Sequence, residues 1–210
     1  AGENVENLSF RYSDGVDDIF TNFSFDFVPG SKTSIVGPTG RGKSTLIKLM
    51  LSLLSPTKGS VSIYSADEKV RASESTRCNL VYVPQGNTLF SGTIRENLQM
   101  GAPHATDSQM KEALYTAAAD FVMELPSGLD TQCFEAGGGL SEGQAQRIAI
   151  ARALLRPGSI LLLDEFSSAL DNATEDLLLQ RLTAKLNTRT MIFITHRGRV
   201  IDYCDSVLRL

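Results

Sequence analysis

The sequence predicts an α/β fold: a core sheet of mostly parallel strands, a strand-rich N-terminal third and a helical subdomain inserted between strands. Three observations carry this. Short unbroken apolar runs, Ile160–Leu163 and Thr190–Ile194, are flanked by helical stretches, the pattern of parallel strands buried on both faces. The first third carries short strand-like runs broken by Gly and Asp turns. Its clearest alternation is Phe-Ser-Phe-Asp-Phe at 23–27. The stretch from about residue 86 to 157 is helical with long loops and has no strong strand signal. With 210 residues the whole chain, 1–210, fits one full-sized domain containing that subdomain.

In chain order, strands are predicted at Ser9–Tyr12, Phe23–Phe27 and Lys32–Val36. A helix apolar nearly all round, and so buried, follows over Ser44–Leu54, ended by Pro56 and Gly59. Strands follow at Val61–Tyr64 and Leu80–Val83, with a charged loop between them. Asp107 is placed as the N-cap of a helix running to about Ala119. Ser141, with Gln144 three residues on, has capping-box spacing and opens a helix that stops at Arg156-Pro157-Gly158. After Ile160–Leu163 come a helix from about Ala173 to Leu186, the strand Thr190–Ile194, and a last strand at Ser206–Leu210.

Composition narrows the function classes. Hydrophobic residues at 42% and charged residues at 21% are ordinary globular usage, which excludes a disordered or low-complexity chain. A net charge of −4 argues against a broadly basic nucleic-acid grip, and no nucleic-acid partner is expected. The longest apolar stretch, Leu46–Leu54, contains Lys48 and is far short of the ~20 apolar residues of a membrane span. The chain itself is therefore expected to be soluble. Cys78, Cys133 and Cys204 form neither a disulfide framework nor a metal cluster, so they read as reduced thiols in a cytosolic compartment, serving as small buried hydrophobes. The first residues lack the regions of a signal peptide.

The strongest local signal is Gly37-Pro38-Thr39-Gly40-Arg41-Gly42-Lys43-Ser44-Thr45, between a predicted strand and a predicted helix. Glycines let such a loop wrap until its backbone N–H groups converge on phosphate oxygens, where the helix N-terminus adds positive potential. Lys43 supplies a mobile cation for the β and γ phosphates, and the Ser44 hydroxyl is placed to ligate Mg²⁺. Ile160–Leu163 ends in Asp164-Glu165: Asp164 can hold the magnesium through a water, and Glu165 can act as general base toward the attacking water.

Two further stretches identify the branch of P-loop proteins. Leu140-Ser141-Glu142-Gly143-Gln144, followed by Ala-Gln-Arg-Ile-Ala-Ile-Ala-Arg-Ala-Leu, closely resembles the signature of ATP-binding cassette (ABC) ATPases. Around it stand Gln85 after Val-Tyr-Val-Pro, Ser168-Ala169-Leu170-Asp171, and His196 after Ile-Phe-Ile-Thr, in the family's order from about Leu8 to the C-terminus. The resemblance implies a P-loop NTPase of ABC type with an antiparallel N-terminal β part, ATP and Mg²⁺ as cofactors, and ATPase activity. It further implies adenine stacked on Tyr12, Gln85 at the magnesium, His196 at the γ-phosphate and Asp171 in the D-loop. Ser141, Gly143 and Gln144 would serve ATP held by a partner protomer in a head-to-tail dimer, homomeric or heteromeric.

Phe90–Leu98 resembles the corresponding stretch of exporter ATPase domains, and Glu135 and Gly137 partly fit the segment through which those domains contact membrane helices, with Cys133, Phe134 and Ala136 departing from it. The implied setting is the cytoplasmic face of the cell membrane, with transmembrane domains as partners. The chain then reads as a piece of a membrane-bound protein, its end lying inside a strand that family members continue. Glu142 stands where the family usually has glycine and Arg41 where it usually has a small residue. Two alternatives stay open: a soluble ATP-driven clamp, and a degenerate cassette that binds ATP as a regulatory switch.

Overall fold

In the computed structural model, which describes residues 1–38, 41–135 and 139–210 and only the backbone of Arg41, the strands form two principal sheets. The first joins β1 (Gly2–Phe10), β2 (Phe20–Phe27), β4 (Lys58–Tyr64) and β5 (Lys69–Arg71) in the order β2-β1-β4-β5. Each of its pairings is antiparallel, as the resemblance implied: Glu3 lies opposite Phe27 on one side and Ile63 on the other. The second has the order β11-β3-β10-β9-β6, formed by β3 (Lys32–Val36), β6 (Leu80–Val83), β9 (Ile160–Asp164), β10 (Thr190–Ile194) and β11 (Ser206–Arg209). There β3 runs parallel to both β10 and β11, the arrangement expected for β10 from its apolar run without alternation.

The chain packs as two compact units, residues 1–81, 158–162 and 188–210 in one and 82–157 with 163–187 in the other. In the first unit, Leu46 on α1 (Arg41–Met50) and Ile35, Leu161, Ile192 and Phe193 on the strands are buried. Glu3 is also wholly buried there, and burial pushes its carboxyl well above the usual carboxylate range. The second unit is helical: α2 (Ile94–Gln99), α3 (Asp107–Thr116), α4 (Glu142–Leu155) and α5 (Asn172–Lys185) enclose Leu98, Met110, Leu114, Ile148, Leu178 and Leu182. Arg95 bridges Asp107 and Asp130 in this unit and holds both carboxyls below their usual range.

Several boundaries differ from the expectation for local reasons. β1 stops at Phe10, so Tyr12 lies beyond the strand. α1 begins at Arg41 and ends at Met50, because Ser52 turns left-handed (φ 55°) and Leu53 swings out to solvent. The cap of α3 is Thr106, not Asp107. Thr106 and Gln109 exchange side-chain and backbone bonds, leaving Asp107 as the first helical residue. That helix ends at Thr116, and Ala118 just beyond it has φ 54°. The capping box of Ser141 and Gln144 on α4 is present as expected.

Among the elements the sequence reading did not place are α2, although Thr93 and Glu96 have capping-box spacing and form the box, the charged edge strand β5, and the two-residue ladder of β7 (Gly92–Thr93) with β8 (Gln132–Cys133). Of the cysteines, Cys133 is buried and Cys204 half-buried, its thiol pushed up to about 12 mainly by burial, but Cys78 is exposed rather than a core residue.

Candidate active site

In the first unit, β3 delivers the chain to the phosphate loop, and α1 carries it away with Lys43 on its first turn. Lys43 is buried at 8% exposure. Its ammonium donates to the carbonyl of Gly37 at 3.0 Å and lies 3.2 and 3.5 Å from the Nε2 and Nδ1 atoms of His196. An ammonium can only donate, so a ring nitrogen bonded to it is the acceptor. The fold thus brings together a loop lysine and a histidine 153 positions apart. Gly37 is held closely as well, since a Cβ there would lie 2.9 Å from the Leu210 carbonyl oxygen.

On the same unit the Tyr12 hydroxyl shares a hydrogen bond of 2.9 Å with Thr45 Oγ1, and its ring meets Phe10 edge-on at 4.9 Å between centroids. Both contacts fix the ring beside the start of α1. The Ser44 side chain is exposed. Thr39, Gly40, the Arg41 side chain, Ala136 and Gly137 lie outside the described residues.

In the second unit, Asp164 closes β9 and accepts a 2.9 Å hydrogen bond from the Tyr82 hydroxyl, whose own ionisation is pushed up by burial and by that carboxylate. Glu165 follows with φ 47°, a left-handed backbone rarely adopted by glutamate, and its carbonyl accepts from Gln146 Nε2 at 3.1 Å. Tyr82 and Gln146 were not among the candidates; neither bond has a signature in the sequence. Gln85 is exposed after β6.

At the start of α4, Ser141 and Gln144 occupy each other's backbone N–H groups, and Glu142 is exposed as the first helical residue, where the helix dipole favours a carboxylate. Asp171 caps α5 by accepting from the Thr174 N–H and hydroxyl, which holds its carboxyl below the usual range. Gly143 is buried against the segment before that cap: a Cβ would lie 2.9 Å from the Ala169 carbonyl oxygen and 3.1 Å from Leu170 Cδ2. Gly143→Ala is therefore expected to destabilise the protein by ~1–3 kcal/mol in denaturant titration.

The expected magnesium donors are a hydroxyl (Ser44), an amide (Gln85) and a carboxylate (Asp164). Among the described residues no three His, Cys, Asp or Glu converge as a metal cage. Few protein donors, all offering oxygen, suit a hard cation completed by phosphate oxygens and water, so the residues fit Mg²⁺.

Comparison with known proteins agrees with these motifs. The family described as ABC transporter matches residues 20–168, more than half of the chain. An uncharacterized ABC transporter ATP-binding protein, y4gM of Sinorhizobium fredii, is 41% identical over 204 residues, covering 97% of this chain and 35% of that protein. The mycobactin import ATP-binding/permease protein IrtB of Mycolicibacterium smegmatis is 40% identical over 204 residues, with the same coverages. A solved bacterial Atm1-family ABC exporter with ATP bound superposes with a TM-score of 0.88 at 35% identity, over 100% of this chain and 37% of that one. The chain thus spans little more than a third of the length of these relatives. It belongs to the ABC transporter family.

Proposed function

We propose that residues 1–210 act as one nucleotide-binding domain that binds Mg-ATP, hydrolyses it in a head-to-tail dimer with an identical or related domain, and thereby powers export. The transmembrane domains it would drive, at the cytoplasmic face of a membrane, lie outside this sequence. Among the described residues no helix is long and apolar enough to cross a membrane. The single observation that carries the reading is the Lys43 ammonium held between Gly37 and His196. A γ-phosphate arriving there replaces a neutral carbonyl with an anion, and a charge-assisted bond is roughly twice as strong. Lys43 then grips the phosphate with His196 still beside it.

The other residues take defined roles. Tyr12 stacks on the adenine, and Gly37, Pro38, Thr39, Gly40, Arg41, Gly42, Ser44 and Thr45 surround the phosphates. Glu165 takes the proton of the attacking water. Ser44, Gln85 and Asp164 would hold Mg²⁺, which when bound neutralises charge on the β and γ oxygens. Ser141, Gly143 and Gln144 face the partner's nucleotide, alongside Asp171. Exposed Phe90, with the Arg152 guanidinium 5.7 Å from its ring centroid, offers a surface for the transmembrane partner.

ATP turnover by the full-length protein tests this: it is expected to need Mg²⁺ and to fall to background in excess EDTA, while a fluorescent ATP analogue still binds. No binding at millimolar analogue refutes the reading. IrtB is named for import, so the direction of transport is read on the full-length protein in vesicles.

A further inference from the structure

Glu165 adopts a backbone that its residue type rarely takes. Its φ of 47° lies in the left-handed region, which a side chain with a Cβ enters at a free-energy cost. Such a conformation persists only where the surroundings over-determine it. The direction of the Glu165 Cα–Cβ bond follows from this backbone, so whatever holds the main chain sets where the side chain departs from it.

The surroundings supply a short restraint from α4. Gln146, on the second turn of α4, is 1% exposed, and its Nε2 donates to the Glu165 carbonyl at 3.1 Å. The same carbonyl receives the Ser168 N–H only at 3.5 Å. The other end of the amide is poorly served: Gln146 Oε1 is buried with no hydrogen-bond partner among the described residues. A buried acceptor without a partner costs free energy, whereas an apolar side chain of the same size at this position would not. The amide is therefore explained by what its donor holds, not by packing.

We propose that Gln146 is a positioning residue for ATP hydrolysis: it clamps the main chain of Glu165 in the left-handed turn that aims the carboxylate at the attacking water. The proposal rests on the reading of Glu165 as the base. Gln146 is 1% exposed and bonds the main chain of Glu165, so it acts on the chemical step and leaves nucleotide binding alone.

The experiment uses full-length protein carrying Gln146→Met, which keeps the volume and removes both the donor and the orphan acceptor, and Gln146→Asn, which keeps an amide too short to reach. Tm, the Kd of a non-hydrolysable ATP analogue, and kcat are measured. For Gln146→Met, Tm is expected to stay near the parent value and Kd within twofold, while kcat falls ~10- to 100-fold, the scale of an ångström-sized misplacement. Combined with Glu165→Gln, it lowers the residual turnover no further, since both act through one group. A folded Gln146→Met with parental kcat overturns the proposal, as does a loss that adds to that of Glu165→Gln. Should Gln146→Met not fold, Gln146→Asn is read by the same kcat and Kd criteria. If Glu165→Gln itself turns over normally, the assignment of the base fails, and the clamp with it.

Discussion

Replacing Glu165 with glutamine is expected to stop steady ATP turnover, lowering kcat ~10²- to 10⁴-fold while leaving the Kd of an ATP analogue within twofold. The amide keeps the size and hydrogen-bonding reach of the carboxylate but cannot take a proton from water. Glu165 sits one residue past Asp164 at the end of β9, and its main chain is fixed by Gln146, so the substitution changes chemistry without moving the chain. Single-turnover hydrolysis by full-length protein is the decisive measurement. Parental turnover would remove Glu165 from the role of base and favour His196 or an unassisted water.

Lys43→Met is expected to weaken nucleotide binding ~100-fold and to take turnover below detection. Lys43 is buried, so a methionine of similar length fills its place with little loss of stability. What is lost is the mobile ammonium of Lys43 that joins the Gly37 carbonyl to His196, and with it a charge-assisted bond to phosphate worth a few kcal/mol. Isothermal titration with an ATP analogue, together with Tm, separates this from unfolding: affinity drops while Tm holds. Unchanged affinity would mean that the backbone N–H groups of the loop carry phosphate binding by themselves.

Much of the candidate site was legible as motifs because those motifs are local. The phosphate loop is a contiguous run between a strand and a helix, and the capping box of Ser141 and Gln144 is a spacing of three that the structure reproduces. The misplacement of the α3 cap shows the limit even at short range. Asp107 and Thr106 are both good capping residues, and only the reciprocal bond from Gln109, three after Thr106, selects between them. That spacing was in the sequence. By contrast β5, with all three residues exposed, has no apolar alternation to reveal it and exists through its pairing with β4. The ladder of β7 and β8 is likewise defined only by its partner, some forty positions away.

By itself the sequence determined the family, the order of motifs and the chemical type of each site residue, because those depend on residue identity and near-neighbour spacing. Only the tertiary structure decided what those residues meet. Lys43 reaches His196 across 153 positions, Tyr82 reaches Asp164 across 82, and Gln146 reaches Glu165 across 19. Each contact depends on strand register and helix packing, which arise when apolar faces are buried together and which no local pattern encodes. The left-handed turn at Glu165 belongs to the same class, since a glutamate adopts it when its surroundings outweigh its own preference.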